Sequence, residues 1–340
     1  MAASAIRTVH SFIGMRPAPA ARRWPTGGVV AHFETRLAAR FDEAAVAAFQ
    51  SPVEAIAAAL AALDCERASA CVIPAWGPPD LARAVRRAGL EPWPVDVDLD
   101  SWMLEPEAAL GALATHCAPI AAFLPCAAFG RLPDLDAWAQ VVRSAGVPVL
   151  VNAVGAFDGL TSTPVPVVAS AIDAEGHAAG AFVASADAGL ISRVTASGGS
   201  AQLPEPAAAA GLVALDAWPQ TRARLAIAAQ NLKVALALTP QIAFQPGWGS
   251  RWLSNVCVVG APDGAAAALA GALAARGVET RSLWELGCET SAGLSGCLRH
   301  SAPGAEHLAA STLELPFCSD LDEAACWRIV DALLDALKEI

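Results

Sequence analysis

The chain has 340 residues and a net charge of −11, and much of its 55% hydrophobic content is alanine. This length suits one large domain and one smaller domain, and the acidic charge argues against nucleic-acid binding, which needs clustered lysine and arginine. The alanine-rich run 55–63 is far shorter than the roughly 20 apolar residues that cross a bilayer. We therefore expect a soluble protein and no membrane partner.

The cysteines and the first residues bear on where the protein works. The nine cysteines include no C-x-x-C pair, so they form no recognisable metal or disulfide framework, and we expect neither a metal site nor disulfides. Residues 1–24 carry four arginines and no acidic residue, but they lack the apolar stretch of a signal peptide. We predict a cytoplasmic protein with an N-terminal arm, residues 1–32, that is disordered or wraps around a dimer partner.

The middle of the chain alternates short apolar runs with helical patterns, which is typical of a parallel sheet with crossover helices. Asp134 is a plausible N-cap for one of these helices. The patterns predict helices over 54–63, 81–88, 106–115 and 134–145, and strands over 70–74, 91–97, 120–124 and 147–151.

The pattern changes after residue 207. Helices dominate to about residue 239, and an α+β pattern follows with strands over 255–259 and 278–283 and helices over 264–276 and 321–337. We therefore predict a large domain at 33–239 and a small C-terminal α+β domain at 240–340, each of ordinary domain size.

Five short motifs in a fixed order carry a family resemblance. They are FETRL at 33–37, CVIP at 71–74 with PVDVD at 94–98, FG and DLD within 129–136, RGVETR at 276–281, and AE with LELP within 305–316. In this order the chain resembles the DegT/DnrJ/StrS sugar aminotransferases. The resemblance implies the type I pyridoxal-phosphate (PLP) transferase fold, which is a mostly parallel sheet with crossover helices and a smaller C-terminal domain.

The resemblance also implies a lysine that forms a Schiff base with PLP. Glu175 falls where that lysine belongs, and a carboxylate cannot form an imine. The sequence has two lysines, Lys233 and Lys338, and neither lies near this loop in the family's layout. Some relatives use a histidine here with the aminated cofactor (PMP), so His177, offset by two positions, is either a proton-transfer base or an ordinary loop histidine.

The other cofactor positions implied by the resemblance are also altered. Ser51 begins the phosphate segment, where residues 52–54 bring a proline without a backbone donor, a valine without a hydroxyl and a glutamate. Asn152 replaces the aspartate that pairs with the pyridine nitrogen, and Ser170 matches the serine before the lysine. Trp76 is either the aromatic that covers the ring or a packed loop tryptophan.

Substrate contacts in the small domain would come from Arg281, Trp284 and His300, unless these residues serve packing or solvation. The first hypothesis for the function is a degenerate homologue that is not a transaminase and that binds a sugar nucleotide, a partner subunit or no small molecule. The second is an enzyme with altered or PMP-dependent sugar chemistry that uses His177 or Glu175 as an acid–base group. The third is a regulatory or structural subunit that pairs with an active paralogue, as a homodimer or heterodimer built on the family's two-fold geometry.

Overall fold

The structure is a computed structural model, and it describes residues 28–42, 44–63, 65, 68–115, 119–170, 180–282, 284 and 301–340. Three predicted site residues lie outside these ranges, namely Glu175, His177 and His300. Residues 1–27 of the predicted arm also lie outside them.

The described residues form an α/β protein. Its helices are α1 (Val29–Ala38), α2 (Pro52–Ala62), α3 (Leu81–Arg87), α4 (Pro106–Thr115), α5 (Leu135–Ala145), α6 (Ala188–Gly198), α7 (Glu205–Leu236), α8 (Ala266–Ala275), α9 (Pro303–Ser311) and α10 (Glu323–Ala336). Its strands are β1 (Ala45–Phe49), β2 (Ala70–Pro74), β3 (Glu91–Val95), β4 (Ile120–Phe123), β5 (Val151–Asn152), β6 (Val167–Ala169), β7 (Ala181–Ser185), β8 (Ala243–Phe244), β9 (Cys257–Gly260) and β10 (Thr312–Leu315).

Seven strands make one mixed layer in the N-terminal part of the chain. Strands pair in the orders β3-β2-β4 and β5-β6-β7-β1, and parallel bridges between Phe123 and Val149 and between Cys126 and Asn152 join the two sets. Within these seven strands β7 is antiparallel to both of its neighbours, and the remaining pairs are parallel. Consequently the carboxyl ends of the other six strands meet at one edge, which we call the carboxyl edge.

A second sheet of three strands, in the antiparallel order β10-β9-β8, lies in the C-terminal part. We call this sheet with α8, α9 and α10 the C-terminal unit, and the seven-stranded layer with α1 to α6 the N-terminal unit. The long helix α7 packs against α1 of the first unit and α10 of the second. One continuous apolar core extends through both units as a result.

Most predicted elements are confirmed within one or two residues at each end, which is the usual uncertainty of helix and strand ends. Asp134 is the N-cap of α5, and its carboxylate accepts the backbone N–H groups of Asp136 and Ala137. Two predicted strands are shorter than expected. The 147–151 strand narrows to β5, because the preceding residues meet β4 in a single bridge at Val149, and the 278–283 strand reduces to one bridge, between Arg281 and Glu314.

The structure contains strands and helices that the sequence patterns do not predict. They include β1, β8, β10, α6 and α9. Strand β1 reads AVAAF and β8 has two residues, so neither contains enough β-branched or aromatic residues to stand out in a chain rich in alanine. Among the described helices, none is long and apolar enough to span a membrane.

Gly211 sets the distance between α1 and α7. A Cβ atom at this position would lie 2.6 Å from Cε2 of the buried Phe33 ring on α1. We expect Gly211→Ala to lower the free energy of unfolding by about 1–3 kcal/mol, because overpacking a core forces side chains and backbone to move.

The matched control is Gly111→Ala in α4, where an added Cβ would meet nothing within 4 Å. That variant should gain up to about 1 kcal/mol, because alanine favours the helix over glycine. Urea unfolding of both variants measures the difference, and a stabilised Gly211→Ala protein would contradict the tight contact.

Candidate functional site

The carboxyl edge collects the sequence-predicted positions of the N-terminal unit that the structure describes. Trp76 follows β2, Asn152 ends β5, Ser170 follows β6 and Ser51 follows β1. Ligands of open α/β sheets bind in the crevice outside the carboxyl ends of the strands. The chain topology thus brings these four positions to the edge where a binding site is expected.

Trp76 is enclosed by aromatic rings. Its side chain is 1% exposed, and its ring lies 5.0 Å from Trp284, 5.5 Å from Phe129 and 6.1 Å from Trp102, centroid to centroid. All three arrangements are edge-to-face, which is a favourable geometry for aromatic pairs. We call Trp76, Trp102, Phe129 and Trp284 the aromatic cluster. In this cluster Trp76 packs against the predicted contact residue Trp284.

The cluster lies between the two units. Trp284 stacks on Phe129 at 4.0 Å between centroids, and the Trp76 Nε1–H group donates to the Trp284 carbonyl oxygen at 3.1 Å. Apolar side chains of the C-terminal unit, including Val258, Ala305 and Leu308, are buried against the same rings. Described side chains of both units therefore pack against each other at this edge.

Two members of the cluster have left-handed backbone conformations. Trp102 has φ of 64° and Phe129 has φ of 54°, values that cost bulky residues about 1–2 kcal/mol each. Next to Phe129, Gly130 has φ of 108°, and a Cβ there would lie 2.5 Å from the Ser254 Cβ. Backbone strain in folded proteins concentrates where the surroundings over-determine the conformation, and here it is located in this cluster.

The Asn152 side chain is bonded within its own surroundings. Its Oδ1 atom accepts the N–H group of Val154 at 3.2 Å, and its Nδ2 group donates to Cys126 Sγ at 3.7 Å. The nearest acid, Asp158, is also engaged, since its carboxylate contacts Arg222 Nε at 2.6 Å and accepts the Leu253 N–H at 3.1 Å. These hydrogen bonds hold both side chains to neighbouring protein groups, and not to the ring nitrogen of a cofactor.

The segment that begins at Ser51 is the N-terminus of α2. Ser51 Oγ accepts the Glu54 N–H at 3.4 Å, and Pro52 occupies the first turn. The Glu54 carboxylate forms an ion pair with Arg87 of α3 at 2.8 Å. Arg87 therefore neutralises part of the negative charge that Glu54 brings to this helix end. Because Arg87 is paired with Glu54, it does not add a positive charge for a phosphate.

The two lysines lie later in the sequence than these positions, and each binds a neighbouring oxygen atom. Lys233 is in the last turn of α7, and its Nζ donates to the Trp248 carbonyl oxygen at 3.1 Å. Lys338 follows α10 and contacts Asp335 at 2.9 Å. The carboxyl-edge positions Ser51, Trp76, Asn152 and Ser170 have other neighbours.

Arg281 has a buried acidic neighbour that the sequence analysis did not identify. Arg281 and Glu314 exchange two backbone hydrogen bonds, of 3.3 and 2.8 Å. Glu314 pairs with Val258 and Thr312 with Gly260, so Glu314 faces the aromatic cluster side of its sheet. Burial raises the pKa of the Glu314 carboxyl to about 7, although the positive charge of Arg281 opposes this shift. The sequence offered little indication that Glu314 is buried, because an acid in the alternating pattern TLEL is equally compatible with a solvent-facing position.

Comparison with known proteins agrees with this arrangement. Residues 16–162 match the model of the DegT/DnrJ/EryC1/StrS aminotransferase family. The fold is similar to that of DesI, crystallised in the presence of its TDP-sugar product, with 25% identity, a TM-score of 0.79, and coverage of 92% of this chain and 85% of that one. The N-terminal part of the chain is thus similar to the DegT/DnrJ/EryC1/StrS aminotransferase family, and the whole fold is that of its solved relatives.

Two further relatives show how far the similarity reaches. The 3-amino-5-hydroxybenzoate synthase of Amycolatopsis mediterranei (strain S699) is 31% identical over 131 residues, which are 38% of this chain and 33% of that protein. The match therefore spans about a third of the length of this curated relative. PseC of Helicobacter pylori, an aminotransferase of pseudoaminic acid biosynthesis, has the same fold with a TM-score of 0.79, 14% identity and coverage of 94% of each chain.

The described residues do not fit the PLP that this family implies. The Trp76 ring is surrounded by three other aromatic rings. The Asn152 amide oxygen is bonded to Val154 and cannot supply the charge that holds a pyridine ring protonated. Pro52 removes a donor from the α2 N-terminus, where a phosphate would bind through free N–H groups.

The pKa of Glu314 predicts a pH-dependent stability. In the unfolded chain this carboxyl ionises near pH 4.5, whereas in the folded protein it keeps its proton up to about pH 7. The folded state binds more protons between these values, so its stability is highest at low pH and falls as the pH rises through 7. We expect Glu314→Gln to remove this loss, which amounts to about 3 kcal/mol at most.

Denaturant unfolding at pH 4.5, 6 and 8 measures this effect, and the control is Glu279→Gln, a half-exposed glutamate that also lies 4.0 Å from Arg281. The Glu279 variant should keep the wild-type pH slope. An unchanged slope in Glu314→Gln would show that another group causes the pH dependence.

Proposed function

We propose that this chain keeps the scaffold of a sugar aminotransferase without the transaminase reaction. One observation carries the proposal, which is that the two lysines of the sequence are bonded to Trp248 and Asp335. A Schiff base with PLP requires a lysine amine at the cofactor. Lys233 and Lys338 belong to α7 and to the residues after α10, and the positions implied for the cofactor belong to the carboxyl edge.

The contacts at the carboxyl edge support the proposal independently. The electron-sink chemistry of PLP depends on a charged partner for the pyridine nitrogen, and Asn152 is an amide held by Val154 and Cys126. Asp158 is the next acid along the chain, and Arg222 and Leu253 bind its carboxylate. A single altered residue could be compensated by a neighbour, but here the neighbours are engaged as well.

The relatives suggest the ligand class for any remaining binding function. DesI was crystallised with a TDP-sugar product, and a sugar nucleotide is therefore the first ligand class to test. Arg281 and Trp284 are the described candidates for contact with it. A cytoplasmic location and pairing with a second copy or a related chain complete the proposal, because two-fold dimers are the commonest assemblies of soluble proteins.

The test is borohydride reduction of the purified protein after addition of PLP. The reduced protein is denatured and desalted, and its spectrum from about 300 to 450 nm shows any cofactor fixed to the chain. Glu175→Lys, which supplies an amine at the position implied for the lysine, is compared with Glu107→Lys on the exposed side of α4. Both variants replace a glutamate by a lysine. Nonspecific reaction of PLP with the added lysine should therefore be similar in the two.

We expect no fixed chromophore in the wild type, and no more labelling of Glu175→Lys than of Glu107→Lys. A fixed chromophore in the wild type would overturn the proposal, because it requires a lysine at the cofactor. A band that stays with the protein but is not fixed by borohydride would mean non-covalent binding, and it would favour the hypothesis that uses His177 as a base. Co-purification with an active aminotransferase would favour the subunit hypothesis.

A further inference from the structure

The turn at 96–103 follows β3 at the carboxyl edge and is held rigidly by its own contacts. The Asp98 carboxylate accepts the backbone N–H groups of Asp100 at 2.9 Å and Ser101 at 2.7 Å. The Asp98 N–H donates to the Met103 carbonyl oxygen at 2.9 Å. These bonds close the turn, and they hold Trp102 in its left-handed conformation with φ of 64°.

Asp96, the first residue of the turn, bonds a helix of the other unit. Its Oδ2 atom accepts the Gly304 N–H at 3.0 Å, and its Oδ1 atom accepts the Ala305 N–H at 2.8 Å. These are N–H groups at the start of α9, where a helix has no internal acceptors and carries a partial positive charge. Ala302, the residue at the N-cap of α9, makes no side-chain cap, so the cap comes from a residue about two hundred positions earlier.

The rest of the turn packs against the C-terminal unit. Trp102 Cζ2 lies 3.9 Å from the Cβ position of Gly260 in β9, and the Ser101 carbonyl oxygen accepts Gln245 Nε2 at 3.4 Å. Gly304 has no room for a side chain, because a Cβ there would be 2.4 Å from the Val97 carbonyl oxygen. The turn thus contacts the C-terminal unit in three ways. Asp96 caps α9, the Trp102 ring packs against β9, and the backbone at Val97 lies against Gly304.

We propose that the turn 96–103 is a latch that holds α9 of the C-terminal unit against the carboxyl edge, so that α9 and the turn open together. Asp96 fixes the position of α9, and α9 in turn presents Ala305 and Leu308 to the aromatic cluster. The latch keeps the space between the units closed by side chains. This inference does not depend on the proposed loss of transaminase chemistry, since it concerns the contact between the units and not the cofactor.

The first test is Gly304→Ala, which separates α9 from the turn while leaving Asp96 in place. Its control is Gly271→Ala in α8 of the same unit, where an added Cβ meets nothing within 4 Å. Both changes place alanine in a helix, which favours the helix itself. Hydrogen exchange, which reports local opening, is followed in α9 and in the turn 96–103.

We expect Gly304→Ala to exchange about tenfold faster both in α9 and in the turn 96–103, with the central strands of the N-terminal unit unchanged, since local opening reports the lost contact. Gly271→Ala should exchange like the wild type at the turn. Faster exchange confined to α9, with the turn as protected as in the wild type, would overturn the latch, because the two sides would then open separately.

The second test removes the cap itself. Asp96→Ala is compared with Asp322→Ala, which removes the cap of α10 within the same unit, where Asp322 accepts the Ala325 N–H at 2.7 Å. Hydrogen exchange of Asp96→Ala should be about tenfold faster in both α9 and the turn, whereas Asp322→Ala should exchange faster in α10 and leave the turn as protected as in the wild type. A turn that stays protected in Asp96→Ala would overturn the proposal.

Discussion

The burial of four aromatic rings between the two units is the interaction on which the arrangement of the carboxyl edge depends. Trp76, Phe129 and Trp102 come from three loops of the N-terminal unit, and Trp284 comes from the C-terminal part. Burying an aromatic ring of about 150–250 Å² stabilises a fold by several kcal/mol at about 25 cal/mol per Å². That gain exceeds the cost of about 1–2 kcal/mol for each left-handed backbone conformation, at Trp102 and at Phe129.

This packing has a direct consequence for chemistry. A cofactor site needs an open face for the ring, a charged partner for the ring nitrogen and free donors for the phosphate. At the same edge of this chain the indole of Trp76 is covered, the amide of Asn152 is bonded to its neighbours, and Pro52 stands in the first turn of α2. The fold matches that of solved sugar aminotransferases, and the side chains described at this edge contact one another.

Two buried acids, Asp158 and Glu314, also have neighbours from distant parts of the chain. Asp158 is almost fully buried, and its carboxylate is satisfied by Arg222 and by the Leu253 N–H, so it links α7 and the 253 segment to the loop after β5. Glu314 is buried, and burial raises the pKa of its carboxyl although the positive charge of Arg281 opposes this shift. These acids are located where the two units meet, and their partners come from distant parts of the chain.

Local sequence patterns were sufficient for much of the secondary structure. The strand ACVIP at β2 and the helix 106–115 were predicted with the same limits that the structure has, and Asp134 was predicted as the cap that it is. The patterns failed where alanine dominates, as in β1, because period-2 and period-3.6 patterns are indistinguishable when most side chains are equally small. They also failed at 278–283, where pairing with Glu314 at a single bridge depends on a strand that lies later in the chain.

The sequence by itself determined the fold family and the residue types at the implied cofactor positions, because ordered motifs and a lysine count can be read without coordinates. Whether Trp76 packs or remains open, and which partners Asn152, Glu54 and Asp96 take, was decided only by the tertiary structure. The physical reason is that each of these side chains is bonded or covered by residues from other elements, as Asp96 is by Gly304 and Ala305. Such contacts depend on how the units pack, and no local pattern encodes that packing.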